Sequence, residues 1–251
     1  MGHISQTAYG WITPALAYLA AVSGSAVALR SVRWALLCRG LRRARWLCVA
    51  AWALGSGIWT MHFIAMLGFS VSGMDIRYDV HDTVESLLLA VAVVGVGLFV
   101  VGYGRHRGVR VLLAGAFTGL GIAGMHYLGM AGIRMGGVLR YDATTVGISV
   151  AIAIVAATAA LWATLHVRGT LAVLGAAMVM GVAVSAMHYT GMRAVSVTMH
   201  HLPLGSTLPG QPATSFVLPL FVGFGLTAFF NFTAYGFAPR EQDTRRRLAT
   251  A

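Results

Sequence analysis

Three histidines of the chain, His62, His126 and His188, each precede a methionine by four residues: Met66, Met130 and Met192. On an α-helix four residues advance about one turn and rotate about 40°, so each pair presents an imidazole nitrogen and a thioether sulfur on one face. Both ligands are uncharged and the sulfur is soft, which favours copper, Cu(I) above all, over hard cations that want oxygen. Uncharged ligands also suit a low-dielectric site where carboxylates are costly. These six side chains are the candidate metal ligands. Haem held by paired histidines is an alternative cofactor, and an interhelical hydrogen-bond network of His, Tyr and Thr is the structural alternative. Six ligands exceed what one Cu(I) uses, so one ion would take two or three histidines and a methionine.

The pairs belong to longer repeats, GSGIWTMHFIAML at 55–67, GLGIAGMHYLGMA at 119–131 and GVAVSAMHYTGMR at 181–193. The histidines lie 64 and 62 residues apart, and three copies in one register do not arise by chance. Each histidine has Gly55, Gly119 or Gly181 seven residues before it and Ile58, Ile122 or Val184 four before it. Met61, Met125 or Met187 directly precedes it, and Phe63, Tyr127 or Tyr189 directly follows. Ala65, Gly129 or Gly191 stands three residues after. The leading methionine points about 100° away from its histidine and is expected to pack against a neighbouring helix. The small residues at minus seven and plus three are expected to let helices approach closely, as small residues do inside membranes.

The elements that position these motifs must be membrane helices. The chain has 251 residues, 58% hydrophobic and 10% charged, outside the range of water-soluble domains. Seven apolar runs near the length that spans hydrocarbon fall at 12–29, 46–69, 84–103, 111–131, 145–165, 170–192 and 215–237. Backbone in lipid must satisfy its own hydrogen bonds, so an all-α, polytopic fold of seven transmembrane helices in one domain is expected. The motifs sit on the second, fourth and sixth spans, which all run the same way. The plan is therefore three parallel two-helix repeats plus one extra N-terminal helix.

The net charge of +11 comes from 18 basic residues, every one an arginine. Only Arg77, Arg134, Arg140 and Arg193 fall on the side shared by the motifs; the other fourteen follow the first, third, fifth and seventh spans. The positive-inside bias then places the N-terminus outside, the C-terminus inside and the motifs near the outer face. Residues 1–11 form an outer N-terminal segment and 238–251 a basic cytoplasmic tail. The arginines occupy short connections with no aromatic-interleaved basic face, so the expected partner is the lipid bilayer and not nucleic acid. Cys38 and Cys48 lack finger or CxxC spacing, and no basic n-region precedes the first apolar run. Neither a disulfide framework nor a secretory signal is expected.

Met187 to Thr190 read Met-His-Tyr-Thr, and with the two related copies the chain resembles the bacterial MHYT domain from about Tyr9 to Phe237. The other copies carry Phe63 for Tyr and Ile64 or Leu128 for Thr, so the fourth position is not essential to any shared chemistry. The resemblance implies that 12–237 is a seven-helix sensor domain of the bacterial cytoplasmic membrane. It also implies copper binding and, through it, detection of oxygen, carbon monoxide, nitric oxide or redox state. Members of the family often continue into cyclic di-GMP or kinase domains, whereas this chain stops at Ala251. Output from a separate cytoplasmic signalling protein is therefore expected.

Other positions are less specific. The echoes IRYD at 76–79 and LRYD at 139–142 are expected as outer-loop turns with Arg–Asp pairs. Met74, Met135 and Met199 with His81, His200 and His201 could form an outer metal-collecting zone, and Glu85 and Asn231 could hydrogen-bond the motif histidines. No Ser/His/Asp set, paired intramembrane carboxylates or phosphate loop is present, so the chain is expected not to be an enzyme. A sensor or binding module leads. Copper transport or handling, and a structural membrane subunit without metal, are the alternatives.

Overall fold

The computed structural model of the chain describes residues 4–104, 107–199, 208–212, 215–216, 225, 229 and 233. Six helices carry the described chain: α1 (Ile12–Leu37), α2 (Gly40–Leu67), α3 (Val80–Tyr103), α4 (Arg107–Ala131), α5 (Ala143–His166) and α6 (Thr170–Arg193). All six are long and apolar enough to cross a membrane, and the chain is a multi-pass membrane protein. Within the expected seventh span, 215–237, only 215–216, 225, 229 and 233 are described, and each is helical. Asn231, His200, His201 and the basic tail 238–251 lie outside the described residues.

Each helix packs mainly on its neighbours in sequence, and α6 closes on α1, so the six form a ring. Helix order around the bundle, which periodicity cannot give, thus puts α2, α4 and α6 at alternate positions with all three motifs at one end. Strand β1 (Ile4–Ser5) lies at that end too, because it pairs antiparallel with β2 (Ser70–Val71) just beyond α2. The α1–α2 contact is close. A Cβ placed on Gly24 would stand 2.5 Å from the carbonyl oxygen of Ala53 and 2.9 Å from Cα of Gly57, so only glycine fits.

Two expectations about the elements change. The Arg-rich stretch 30–45 was expected as a connection, yet α1 runs through Arg30 and Arg33 to Leu37 and α2 restarts at Gly40, leaving only Cys38 and Arg39 between them. Arginine is a good helix former and its long side chain can carry its charge away from the apolar core, so charge alone does not end a membrane helix. Both cysteines are free.

The connections at the motif end, expected as loops, also hold short antiparallel strands. β3 (Arg77–Tyr78) lies between β4 (Ile133–Arg134) and β7 (Gln211–Pro212), and β5 (Gly137–Tyr141) pairs with β6 (Val195–Met199) from Gly137 opposite Met199 to Tyr141 opposite Val195. Alternation in VSVTM buries Val195 and Val197 on one face, a period-2 signal too short to stand out in sequence.

The RYD echoes mark where strand gives way to helix. Asp79 caps α3, accepting from the backbone N–H of His81 and Asp82, and Asp142 caps α5, accepting from the N–H of Thr145. The expected Arg–Asp pairing is therefore rearranged. Arg77 pairs with Asp75 at 3.1 Å, while Asp79 and Asp82 both receive Arg134, at 3.1 and 3.2 Å. The N–H of Asp82 foremost, with Arg134 and the N–H of His81, holds the Asp79 carboxyl below its ordinary value; the Thr145 hydroxyl and N–H do the same for Asp142.

Candidate metal centre

The three motif helices bring His62, His126 and His188 to one point on the bundle axis. Each is only 1% exposed. Their ring centroids lie 4.9, 5.0 and 5.1 Å apart, close to an equilateral triangle, which is what three registered repeats around an axis produce. The rings stand edge-on to one another, and the Nδ1 atoms converge. Nδ1 of His62 lies 3.0 Å from Nδ1 of His188 and 3.1 Å from Nδ1 of His126.

Hydrogen bonding alone serves this arrangement poorly. A neutral imidazole carries one N–H, and the Nδ1 of His62 faces two other Nδ1 atoms. The Nε2 atoms of His62 and His126 are buried with no hydrogen-bond partner. An unpaired buried polar group costs about 1–3 kcal/mol, and such a group in a native fold calls for a functional explanation. A cation shared by the three converging Nδ1 atoms would remove the conflict among them, and would leave the Nε2 protons of His62 and His126 against Gly129 and Gly191. Metal–nitrogen bonds of about 2.0–2.1 Å in trigonal or tetrahedral geometry need nitrogens about 3.3–3.6 Å apart, a few tenths of an ångström wider than the 3.0 and 3.1 Å here. The residues fit a metal ion.

The plus-three position of the motif has a more specific role than helix approach. A Cβ on Gly129 would stand 2.5 Å from Nε2 of His62, and one on Gly191 would stand 2.5 Å from Nε2 of His126. The small residue of each later motif thus backs the histidine of the motif before it. The sequence carried the signal, a glycine at plus three, but the contact runs between motifs and needs the helix order to be read. The aromatic after each histidine, Phe63, Tyr127 or Tyr189, stands edge-on to that histidine at 4.8, 4.8 and 5.0 Å. Tyr127 is anchored in turn by Ser149 of α5 at 2.6 Å.

The plus-four methionines, Met66, Met130 and Met192, are buried in one apolar cluster with Phe63, Tyr78 and Met135 at the motif end. They form a thioether-rich layer one turn beyond the triad by helix register. The leading methionines are buried elsewhere: Met125 and Met187 in the central core, and Met61 against Ala17, Ala20 and Ala21 of α1. Tyr78, of the first RYD echo, closes the thioether layer. It is buried, and its hydroxyl donates to the Met66 carbonyl at 3.1 Å.

Three further expectations are relocated. Glu85 does not reach the triad: it is half exposed on α3 and faces His81 at 3.4 Å, because its helix turns that side outward. Met74 and Met135 pack in or against the thioether cluster, whereas His81 is largely exposed beside Asp82 and Glu85, so among the described residues Met74, Met135 and His81 do not gather in one outer zone. Met199 enters through its backbone, opposite Gly137.

Comparison with known proteins agrees with this layout. The family model described as a bacterial signalling protein N-terminal repeat, MHYT, matches residues 55–115 and 119–177, each match opening at the glycine that starts a motif. The chain is 38% identical over 205 residues to the bifunctional diguanylate cyclase/cyclic di-GMP phosphodiesterase MucR of Pseudomonas aeruginosa, covering 80% of this chain and 29% of that protein. It is 38% identical over 172 residues to the cyclic di-GMP phosphodiesterase NbdA of the same organism, covering 66% and 22%. It is 33% identical over 209 residues to an uncharacterized signaling protein of Caulobacter vibrioides, covering 83% and 25%. The chain thus spans less than a third of the length of these relatives. No solved structure matches it. With its motif in two matched repeats and a buried triad built from all three copies, the chain belongs to the MHYT family of bacterial signalling-protein N-terminal repeats.

Proposed function

We propose that this chain is a membrane sensor module whose histidine triad, with one or more of Met66, Met130 and Met192, holds a copper ion. The observation that carries the reading is the meeting of three buried Nδ1 atoms, two of their contacts at 3.0 and 3.1 Å, with no acidic group among them. Imidazole and thioether together select a soft ion, Cu(I) before Zn(II) or any hard cation. Bound copper would supply a one-electron centre able to take a diatomic ligand such as oxygen, carbon monoxide or nitric oxide. The chain's own residues hold the imidazoles in place through Gly129 and Gly191, keep water away, and fix Met66 through Tyr78.

In this reading the motif end faces the outer side of a bacterial cytoplasmic membrane, an orientation that the Arg distribution supports. Names of the relatives point to cyclic di-GMP turnover, so the signal read at the triad is passed to a cytoplasmic output of that kind. Transport is the weaker reading. On the Arg-rich side of the triad the lining is apolar apart from Thr118 and the thioethers of Met180 and Met187, with no histidine or carboxylate among its residues to carry an ion onward.

Elemental analysis of protein purified in mild detergent under reducing conditions tests the reading. One copper per chain, lost on His62→Ala, is the expected result; a folded protein that takes up none after Cu(I) loading overturns it. Copper flux into proteoliposomes would shift the assignment from sensing to transport.

A further inference from the structure

One turn inward of the triad the bundle axis opens into a cavity of about 40 Å³. It is bounded by the minus-four residues of the three motifs, Ile58, Ile122 and Val184, together with Met187 and the α5 alanines Ala153 and Ala157. The volume is about three times the roughly 10–15 Å³ that a single water-sized molecule needs. Protein interiors seldom leave a gap of this kind, because its lining forfeits dispersion contacts.

Water is a poor occupant. Thr118 is the single polar side chain of the lining, and its Oγ1 already donates to the Val93 carbonyl at 3.4 Å. A buried water needs two to four polar partners, and apolar cavities of this type stay dry while admitting xenon. Access comes from the membrane. Among the six helices α5 is the least buried, and its residues Ala156, Ala157 and Ala160 are half-buried where they border the cavity. An apolar molecule partitions into hydrocarbon and meets only methyl groups at that wall.

We propose that this cavity is a binding site for one small apolar molecule the size of a diatomic gas, entered from the acyl-chain region past the α5 alanines. Binding here depends only on the cavity; its use in signalling rests on the reading of the triad as a sensor. The occupant sits one helical turn from the imidazoles, close enough for exchange between the two sites without passage through water.

Xenon tests the site on the full chain in nanodiscs, by 129Xe chemical shift and by xenon-pressurised crystals. Wild-type protein should show one xenon between Ile122, Val184 and Ala157. Ala157→Leu, which fills the space, should lose it, and Ile122→Ala, which enlarges it, should raise the occupancy. Absence of xenon from both wild type and Ile122→Ala overturns the proposal, as does an ordered acyl chain in the cavity. Copper is quantified on the same preparations. Xenon without copper leaves the cavity standing and removes the metal reading, and copper without xenon does the reverse.

Discussion

Gly191→Ala places a methyl group against the triad and should disable it without replacing a ligand. The added Cβ would stand 2.5 Å from Nε2, 3.1 Å from Cδ2 and 3.3 Å from Cε1 of His126. Ordinary contacts begin near 3.5 Å, so the ring must retreat by about 1 Å. His126 is fully buried, and its Nδ1 already lies 3.1 Å from that of His62, so the retreat is at the expense of the triad. A site of this kind tolerates roughly 0.5 Å of misplacement. Loss of such ring support should weaken copper affinity about 10–100-fold. Overpacking costs about 1–3 kcal/mol, offset by up to about 1 kcal/mol of better helix propensity, for a net loss near 1–2 kcal/mol. Gly175→Ala, on the same helix with open space at its Cβ, is the control and should be neutral or mildly stabilising. Competition for Cu(I) with a chromophoric chelator and thermal unfolding in detergent read both quantities. Wild-type affinity and melting temperature in Gly191→Ala would refute the reasoning.

Other outcomes follow from the same structure. Gly129→Ala should repeat the effect through His62, with the same reduction in Cu(I) affinity. Tyr78→Phe removes the buried hydrogen bond to the Met66 carbonyl and should cost about 0.5–1.5 kcal/mol by thermal unfolding. Loading with Cu(I) at about a hundred times the dissociation constant should stabilise wild type by about 2.7 kcal/mol and the His62→Ala variant not at all. Asp79 and Asp142 have depressed carboxyl values in the fold, so their stabilisation is complete above the ordinary value of 3.8 and is lost as pH falls through the lower folded values. The double variant Asp79→Asn, Asp142→Asn keeps the caps and should flatten the acid side of the stability profile; an unchanged profile would exclude these two groups as its cause.

The membrane helices and the common depth of the three histidines were legible because both rest on periodicity. Apolar length marks a span, and three motifs on spans of one direction must reach one depth. The sequence could not show that the rings touch, because ring order is a property of packing: α2, α4 and α6 alternate only once α6 has closed on α1. The same limit hid the work of Gly129 and Gly191, whose spacing to their own histidines is local while their contacts are 67 and 65 residues away in register with His62 and His126. The strands at the motif end were missed because β3, β4 and β7 are two residues each and hold their register through tertiary contacts. Glu85 misled for the opposite reason. A lone acid near a membrane helix suggests an inward partner, but one placed in the first turns of α3 reaches solvent and His81.

X-ray absorption at the copper edge, on protein loaded with Cu(I) in detergent, tests the central claim most directly. Scattering from two or three nitrogens near about 2.0 Å with a sulfur near about 2.3 Å is the predicted first shell, and it should collapse in His126→Ala. A shell of oxygen or buffer ligands, or one unchanged by that substitution, would contradict the assignment of the triad as a copper site.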